Sequence, residues 1–351
     1  MQPVSFSRRL ACAVALSLTI SVGMTTQTYA DAAPFKLFDG HLHPVSDDTV
    51  KYPHNTTMVG PPPSGDGMGD GMGGGGMPPG VGGQEGGNNT SERAATDFDK
   101  RALAWMDEEG VEGAAAVQKR GTYGTDNSYT LDISEAHPDR LHGIVILDAE
   151  KPESAAQLRD MINKRGAAGI RLTGAPAADG SLPWLNSAQA RKVWEVANAA
   201  GAVMDIMITN QDNTKSVPTI IELAKTYPNV RLVLDHALFP KVEGGPEYGI
   251  NATYQQMAKQ KNIYYKFTII NIDSYEVAKL PVEDYVRRLV DVYGADHVLW
   301  GSDAGNSFGS YKELVERVVA SASKLNDAEK RKMLHDTGAS VFINGGKLKK
   351  K

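Results

Sequence analysis

The sequence has almost no cysteine, because Cys12 is the only one among its 351 residues. A disulfide framework and a zinc site built from thiolates are therefore both excluded. The chain also lacks an excess of basic residues, since its formal net charge is -5 and its pI is about 5.9. Without a positive field to hold a polyanion, we do not expect nucleic acid to be a partner.

Long apolar runs are also lacking. The longest, Leu10–Met24, covers about 15 residues, whereas a membrane-spanning helix needs about 20. It follows Arg8 and Arg9 and precedes a stretch of small residues, an order that is typical of a secretory signal peptide. We therefore predict that residues 1–32 are a signal peptide, that the mature protein is periplasmic or secreted, and that it has no stable membrane association. An uncleaved membrane anchor is the alternative.

Beyond this segment, short apolar runs alternate with segments of helical periodicity. The apolar runs recur about every 30 residues after the first, which is the length of one strand-and-helix unit. Several are apolar almost throughout, as expected of parallel strands that are buried on both faces. The eight predicted strands are Lys36–His41, Val111–Gln118, Leu141–Asp148, Ala168–Thr173, Ala202–Thr209, Val230–His236, Asn262–Thr268 and His297–Asp303.

Eight such units predict an α/β protein with a (β/α)8 barrel, the TIM barrel, over residues 33–345. A doubly wound open sheet is the rival, but it needs a phosphate-binding glycine fingerprint after an early strand, and the sequence has none. Residues 346–351 form a basic tail.

Glycine is concentrated in one place, because 14 of the 36 glycines lie between Gly60 and Gly87, together with Met68, Met72 and Met77. Such a segment cannot bury enough apolar surface to offset the entropy of ordering it. We predict a flexible, low-complexity insert over residues 50–91. Because it follows the first strand, it would open on the active-site rim of a barrel, either as a solvated loop or as a mobile lid.

Polar side chains collect where the predicted strands end. His41 and His43 are two residues apart, so both imidazoles would lie on one face of strand 1, as half of a divalent metal site or as an acid–base pair. His236 ends strand 6 and Asp303 ends strand 8, while Lys266 lies on strand 7. Burying all of these without partners would be costly, so their convergence at one rim favours an enzyme.

With these motifs in view, the chain resembles the amidohydrolase superfamily, in its amidohydrolase-related branch of sugar lactonases, 2-pyrone-4,6-dicarboxylate lactonase and aromatic-acid decarboxylases. The resemblance rests on four stretches of sequence in the order that the family has them. These are Phe38–His43, Gly169–Leu172, Tyr227–His236 and Leu299–Asp303.

The resemblance implies that His41, His43 and Asp303 ligate a metal, usually zinc, and that Asp303 takes a proton from the attacking water. It also makes His236 the strand-6 histidine of the catalytic site. Strand 5 has no histidine. The glutamate or carboxylated lysine that bridges two metals in other members is not evident near strand 4 either, where Arg171 lies, so a binuclear site is not expected. One divalent ion and metal-free catalysis remain equal alternatives.

These residues predict an exported hydrolase that opens a lactone, or cleaves a similar ester or amide, with Asp303 as general base. Arg171 and Lys266 would hold a substrate carboxylate, or would instead form ion pairs inside the barrel with Asp205, Asp148 or Asp235. Asn210, after strand 5, is a further candidate for substrate contact, and so is His54, at the edge of the insert. A metal-dependent decarboxylase and an inactive ligand-binding barrel are the alternative functions, and the oligomeric state is left open.

Overall fold

The computed structural model describes residues 35–54, 98–209 and 212–347. Its centre is a sheet of eight strands, each parallel to the next and hydrogen-bonded in sequence order. The strands are β1 Leu37–Leu42, β2 Val111–Val117, β3 Leu141–Ile146, β4 Gly169–Gly174, β5 Val203–Ile208, β6 Arg231–Leu234, β7 Ile263–Thr268 and β8 Val298–Gly301.

The sheet closes on itself where the end of β1 meets the segment after β8. The amide of Asp303 donates to the carbonyl oxygen of His41 at 2.7 Å, and the amide of His43 donates to that of Ala304 at 2.8 Å. Eight parallel strands alternating with helices and joined in this way form the predicted (β/α)8 barrel. The four functional strand ends of the sequence analysis therefore lie at one mouth of the barrel.

Helices surround the sheet. They are α1 Phe98–Glu108, α2 Arg120–Tyr123, α3 Ser128–Ala136, α4 Ser154–Arg165, α5 Pro183–Asn186, α6 Ala188–Ala200, α7 Val217–Thr226, α8 Ala252–Gln255, α9 Ile269–Val277, α10 Val282–Tyr293, α11 Tyr311–Ser321, α12 Asp327–Arg331 and α13 Thr337–Phe342. Short 3-10 turns cover Asn213–Ser216, Asp235–Leu238 and Gln256–Lys259, and a π-turn covers Lys332–Asp336.

Local sequence explains several helix boundaries. Ser310 and Glu313 form a reciprocal capping box at the start of α11, which satisfies backbone amides that the first turn leaves free. Gly201 ends α6 in the left-handed conformation that glycine adopts without strain. Gly294 follows α10, and Pro281 precedes it.

Two apolar clusters hold the barrel. The larger lies between the sheet and the helices, and the smaller fills the lower half of the barrel interior. The smaller cluster includes Phe38 of β1, Ile144 of β3 and Val203 of β5, and α13 contributes Val341 and Phe342 to it. The last helix therefore packs against the bottom of the barrel, while polar residues occupy the top.

The predicted signal peptide lies outside the described residues, as does most of the predicted insert. Among the described residues, no helix is both long enough and apolar enough to cross a bilayer.

Candidate active site

The imidazoles of His41 and His43 meet at the end of β1, with their Nε2 atoms 3.1 Å apart. The second nitrogen of His43, Nδ1, lies 2.9 Å from the carbonyl oxygen of Val117 on β2. A carbonyl oxygen only accepts, so His43 carries its proton on Nδ1 and turns an Nε2 lone pair toward His41. Both rings are buried, with side-chain exposures of 0% and 1%.

Asp303 completes this cluster from the segment after β8. Its Oδ1 atom lies 3.4 Å from Nε2 of His41 and 3.4 Å from Nε2 of His43. The other oxygen, Oδ2, accepts hydrogen bonds from Ser307 Oγ at 2.8 Å and from Asn306 Nδ2 at 3.2 Å. One carboxylate oxygen is thus held by neighbours, and the other is directed at the histidine pair.

The surroundings keep Asp303 ionised. Burial by itself would raise the pKa of this carboxyl group, but hydrogen bonds to the carboxylate, among them the one from the hydroxyl of Ser307, hold the pKa below its usual value. Asp303 also has a left-handed backbone, with φ of 54°. A non-glycine residue in this region is strained, and such strain is often found at functional sites.

His236 approaches the cluster from the turn after β6. Its ring centroid lies 5.6 Å from that of His41, and its Nδ1 atom is 2.7 Å from Thr268 Oγ1. Burial lowers the pKa of His236 to about 4, so the ring is neutral at physiological pH. A neutral imidazole there can exchange a hydrogen bond with a ligand without adding positive charge.

A network of buried charges supports the histidines from below. Lys266 Nζ lies 2.6 Å from Asp205 Oδ2, 2.7 Å from Asp235 Oδ1 and 2.9 Å from His41 Nδ1. Arg171 Nε lies 2.8 Å from Asp235 Oδ2. Two cations beside Asp235 outweigh its burial and hold its pKa well below the usual value. Lys266 has no exposed surface, so it takes the ion-pair arrangement rather than a place on a substrate-facing wall.

A second buried carboxyl group joins β1 to β8. Asp39 accepts hydrogen bonds from the amide and hydroxyl of Ser302 at 2.9 and 2.6 Å, from the amide of His41 at 2.9 Å and from Tyr311 at 3.1 Å. Burial raises its pKa to about 6. Asp39 therefore fixes the backbone that carries His41 against the backbone that carries Asp303.

Between these groups lies a cavity of about 10 Å³, lined by His43, Asp303, His236, Arg171 and other side chains. A volume of this size holds about one water molecule. Beside it is an open groove of about 440 Å³ at the ends of β2, β3 and β4. Substrate-sized molecules fit only the groove, so we call these the water cavity and the outer groove.

The histidine pair and Asp303 form a donor set that suits a metal ion. The three facing atoms are 3.1, 3.4 and 3.4 Å apart, and a tetrahedral zinc site places its ligand atoms about 3.3 Å apart. Asp303 Oδ1 is also buried without a hydrogen bond of good geometry, as expected of an oxygen that is meant for an ion or a water. This buried triad can bind a divalent metal.

Ligation would require a different proton arrangement at His41. The ammonium group of Lys266 can only donate, so Nδ1 of His41 accepts from it and Nε2 of His41 carries the ring proton. A metal needs the Nε2 lone pair, and the proton would then have to sit on Nδ1, which is 3.4 Å from Asp235 Oδ1. Metal-bound and metal-free forms therefore differ in one proton position.

The remaining candidates from the sequence are more peripheral. His54 lies with its Nε2 atom 2.8 Å from the carbonyl oxygen of Ser46 and with its ring against Tyr123. It lines neither the water cavity nor the outer groove. Asn210 lies outside the described residues. Strand β5 has no histidine in the structure either, and Met207, near its end, lines the water cavity.

Sequence reasoning missed Arg120, Ser307 and Asn306. Arg120 lies three residues after the end of β2, and the rule that barrel chemistry lies at the carboxyl ends of strands would have selected it. Ser307 and Asn306 follow Asp303 by four and three residues. Nothing in their sequence pattern distinguishes them from ordinary loop residues.

Comparison with known proteins gives a consistent result. A family model described as Amidohydrolase matches residues 38–342. Among curated proteins, an L-fucono-1,5-lactonase from Burkholderia ambifaria is 25% identical over 209 residues, which are 58% of this chain and 69% of that protein.

Several solved structures share the fold. One from Pseudomonas putida, described as a 2-pyrone-4,6-dicarboxylic acid hydrolase, has a TM-score of 0.61, with 19% identity over 90% of this chain and 99% of that one. Another so described, from Acinetobacter baumannii with citric acid bound, has a TM-score of 0.58, with 16% identity over 88% and 99%.

Decarboxylases share the fold as well. A 5-carboxyvanillate decarboxylase from Novosphingobium aromaticivorans, in complex with manganese and a nitrobenzoic acid, has a TM-score of 0.50, with 15% identity over 73% of this chain and 82% of that one. Relatives with this fold thus bind small carboxylate ligands.

Proposed function

Because the chain belongs to the amidohydrolase family, we propose that it is a hydrolase that opens a lactone ring, or cleaves a similar ester or amide, with Asp303 as general base. The observation that supports this most directly is the position of Asp303 Oδ1. This oxygen lies 3.4 Å from both facing histidine nitrogens, and it borders a cavity that has the volume of one water. The likeness to an L-fucono-1,5-lactonase favours a lactone among the carbonyl substrates.

In the proposed reaction, a water in the cavity gives a proton to Asp303 Oδ1 as its oxygen attacks the carbonyl carbon. The bond between that carbon and the ring oxygen then breaks. Protonated Asp303 returns the proton to the departing alkoxide, so the residue ends as it began. The hydrogen bonds from Ser307 and Asn306 to Oδ2 keep Oδ1 pointed at the water throughout.

The developing negative charge on the carbonyl oxygen needs a donor. With Lys266 donating to its Nδ1 atom, His41 directs its Nε2–H group at His43 and Asp303, so the donor to the carbonyl oxygen has to come from the residues that line the cavity. Arg171, which is 4% exposed and lines the same cavity, adds a fixed positive charge. His236 is neutral and takes a hydrogen-bonding role beside them.

His41, His43 and Asp303 would hold a divalent ion, which we propose is zinc. When bound, it would act as a Lewis acid that polarises a carbonyl group and makes water more acidic. We propose one ion at most, because the described part of the chain offers only two such groups and His41 belongs to both of them.

The test compares the wild-type protein with Asp303→Asn on a panel of sugar 1,5- and 1,4-lactones, with free acid as the measured product. We expect the variant to lose about 10²- to 10⁴-fold in kcat/KM, because an amide cannot accept the proton. Its circular dichroism and its melting temperature should stay close to those of the wild type, since asparagine keeps the shape of the side chain. A lactone that Asp303→Asn hydrolyses at the full rate would remove Asp303 as the base.

Parallel assays separate the alternatives. Aromatic acids are offered to the same samples and carbon dioxide is measured, because decarboxylases with this fold exist. Each activity is repeated after chelation and after zinc is restored, with metal content measured in every sample. Loss and recovery with zinc supports a metal-dependent reaction, whereas unchanged lactone hydrolysis in metal-free protein supports the alternative.

We also propose that the protein is exported. The support is the sequence order described above: Arg8 and Arg9, the apolar run Leu10–Met24, and the small residues around Ala30.

A further inference from the structure

Arg171 and Lys266, for which the sequence left open a substrate carboxylate or an ion pair inside the barrel, have carboxylate partners in the structure. Lys266 is paired with Asp205 and Asp235, and Arg171 is paired with Asp235. A bound carboxylate would have to compete with these buried pairs, which are costly to break. An anionic group on a substrate would therefore bind more readily to a cation that is not already in a buried ion pair.

Arg120 is such a cation. Within the described ranges, its guanidinium has no carboxylate within ion-pair distance and donates no hydrogen bond. It lines both the water cavity and the outer groove, and among the described residues only Thr173 also does so. The side chain is only half-buried. Its charge is thus available to a molecule that lies in the groove, next to the water cavity.

The backbone at Arg120 is held on both sides. Lys119, just before it, donates from Nζ to the carbonyl oxygen of Gly305 at 2.9 Å and to Asn306 Oδ1 at 3.2 Å. Asn306 in turn donates to Asp303. Tyr123, at the end of the same helical turn, accepts at its hydroxyl a hydrogen bond from the amide of Ser46 at 2.7 Å. Arg120 is therefore fixed relative to the general base, as a positioning contact requires.

The other charges of the outer groove limit what it can accept. Asp148 and Glu150 also line it, and both are exposed. Two carboxylates would repel a second anionic group on the ligand, while their oxygens can accept hydrogen bonds from hydroxyl groups. The indole of Trp184 forms part of the same wall and offers an apolar face.

We propose that Arg120 is the specificity-determining residue of the outer groove and binds the single carboxylate of a hydroxyl-rich substrate. Its guanidinium forms a charge-assisted pair with that carboxylate, while the reacting carbonyl group faces the opening of the water cavity. This inference rests on the proposed hydrolase function, because it places the reacting carbonyl group beside Asp303.

The experiment measures binding rather than turnover, with two pyranosides that differ in one group. Methyl β-D-glucuronide carries a carboxylate where methyl β-D-glucoside carries a hydroxymethyl group, and the galacto pair is tested in the same way. Calorimetry gives Kd for the wild-type protein, Arg120→Gln, Arg120→Lys and the control Arg159→Gln. Arg159 is an exposed arginine on α4 that lines neither the water cavity nor the outer groove.

We expect the wild-type protein to bind the carboxylate member of at least one pair about 10- to 100-fold more tightly, as is typical of a hydrogen bond to a charged group. Arg120→Gln should abolish this preference, Arg120→Lys should keep part of it, and Arg159→Gln should keep all of it. Circular dichroism shows whether each variant is folded. A wild type without preference, or a preference that survives Arg120→Gln, overturns the proposal.

The two proposals fail separately. If the carboxylate preference depends on Arg120 but no lactone is hydrolysed, the hydrolase assignment is wrong and the Arg120 site stands. If lactones are hydrolysed while the preference is absent or independent of Arg120, the hydrolase assignment stands and the Arg120 site is wrong.

Discussion

Lys266 shows how a single residue can support a site without lying on its surface. It has no exposed surface and contacts two carboxylates and one imidazole. Its position on β7 was evident in the sequence, but its role was not, because a lysine near a strand end looks the same whether it faces a substrate or a buried aspartate. Only the neighbouring strands decide between the two.

We expect Lys266→Met to lower the free energy of unfolding by about 3–5 kcal/mol, because it leaves Asp205 and Asp235 buried beside one cation fewer. Chemical denaturation measures the loss. The double variant Lys266→Met/Asp205→Asn also removes the acidic group that Lys266 contacted and should recover part of the lost stability. If the double variant is as unstable as the single one, the ion pair does not explain the effect.

Other residues of the site were predictable to different degrees. His41, His43 and Asp303 follow or end apolar strands, so their convergence could be expected from the barrel alone. Arg120 satisfies the same rule but was overlooked, because no histidine or aspartate stands beside it. Asp39 could not be identified, since its partners Ser302 and Tyr311 are more than 260 residues away in the sequence.

At the scale of elements, the strand predictions were right in number and order, and the predicted strands 2, 3, 5, 6 and 8 run one or two residues past the observed ends. Strand 6 was expected over Val230–His236 but ends at Leu234, because Asp235–Leu238 forms a turn. Four consecutive residues from His236 have positive φ angles. No glycine marks this turn, so the sequence gives no signal for it. Contacts such as the hydrogen bond from Asn271 Nδ2 to the carbonyl oxygen of His236, at 3.0 Å, hold it in place.

The seam between β1 and β8 depends on the absence of a side chain at Gly301. A methyl group there would meet the backbone nitrogen of His41 at 2.9 Å and its Cα atom at 3.1 Å. We expect Gly301→Ala to cost about 1–3 kcal/mol of stability through overpacking. Activity should fall at least tenfold, because His41 moves away from Asp303.

Gly244→Ala is the matched control for this substitution. Its added methyl group would contact only Leu280 Cδ2, at 3.5 Å, which is an ordinary van der Waals distance. Melting temperature and kcat/KM are measured for both variants. Equal effects of the two substitutions would show that the seam is not specifically sensitive to packing.

At the scale of the whole molecule, alternation of apolar and amphipathic segments was sufficient to predict the architecture, because each βα unit repeats the same packing problem.

The remaining whole-molecule expectation concerns the N-terminus. If the full chain is expressed in a bacterium with its own leader, we expect the protein in the periplasm or medium to lack about 30–32 N-terminal residues.

Intact mass and N-terminal sequencing of the fractionated protein measure this directly. A variant with Glu in place of Arg8 and Arg9 removes the positive start and should accumulate in the cytoplasm at full length. Full-length wild-type protein in the cytoplasmic fraction would contradict export, and full-length protein in the membrane fraction would favour the anchor.

The plug that α13 forms beneath the barrel has a consequence for the order of events. Since Val341 and Phe342 fill the bottom of the barrel, solvent reaches the water cavity from the rim. A substrate bound in the outer groove would block this path, and the nucleophile would be the water that already occupies the cavity. Methanol added to the solvent should then appear in little or none of the product, which would be free acid rather than methyl ester.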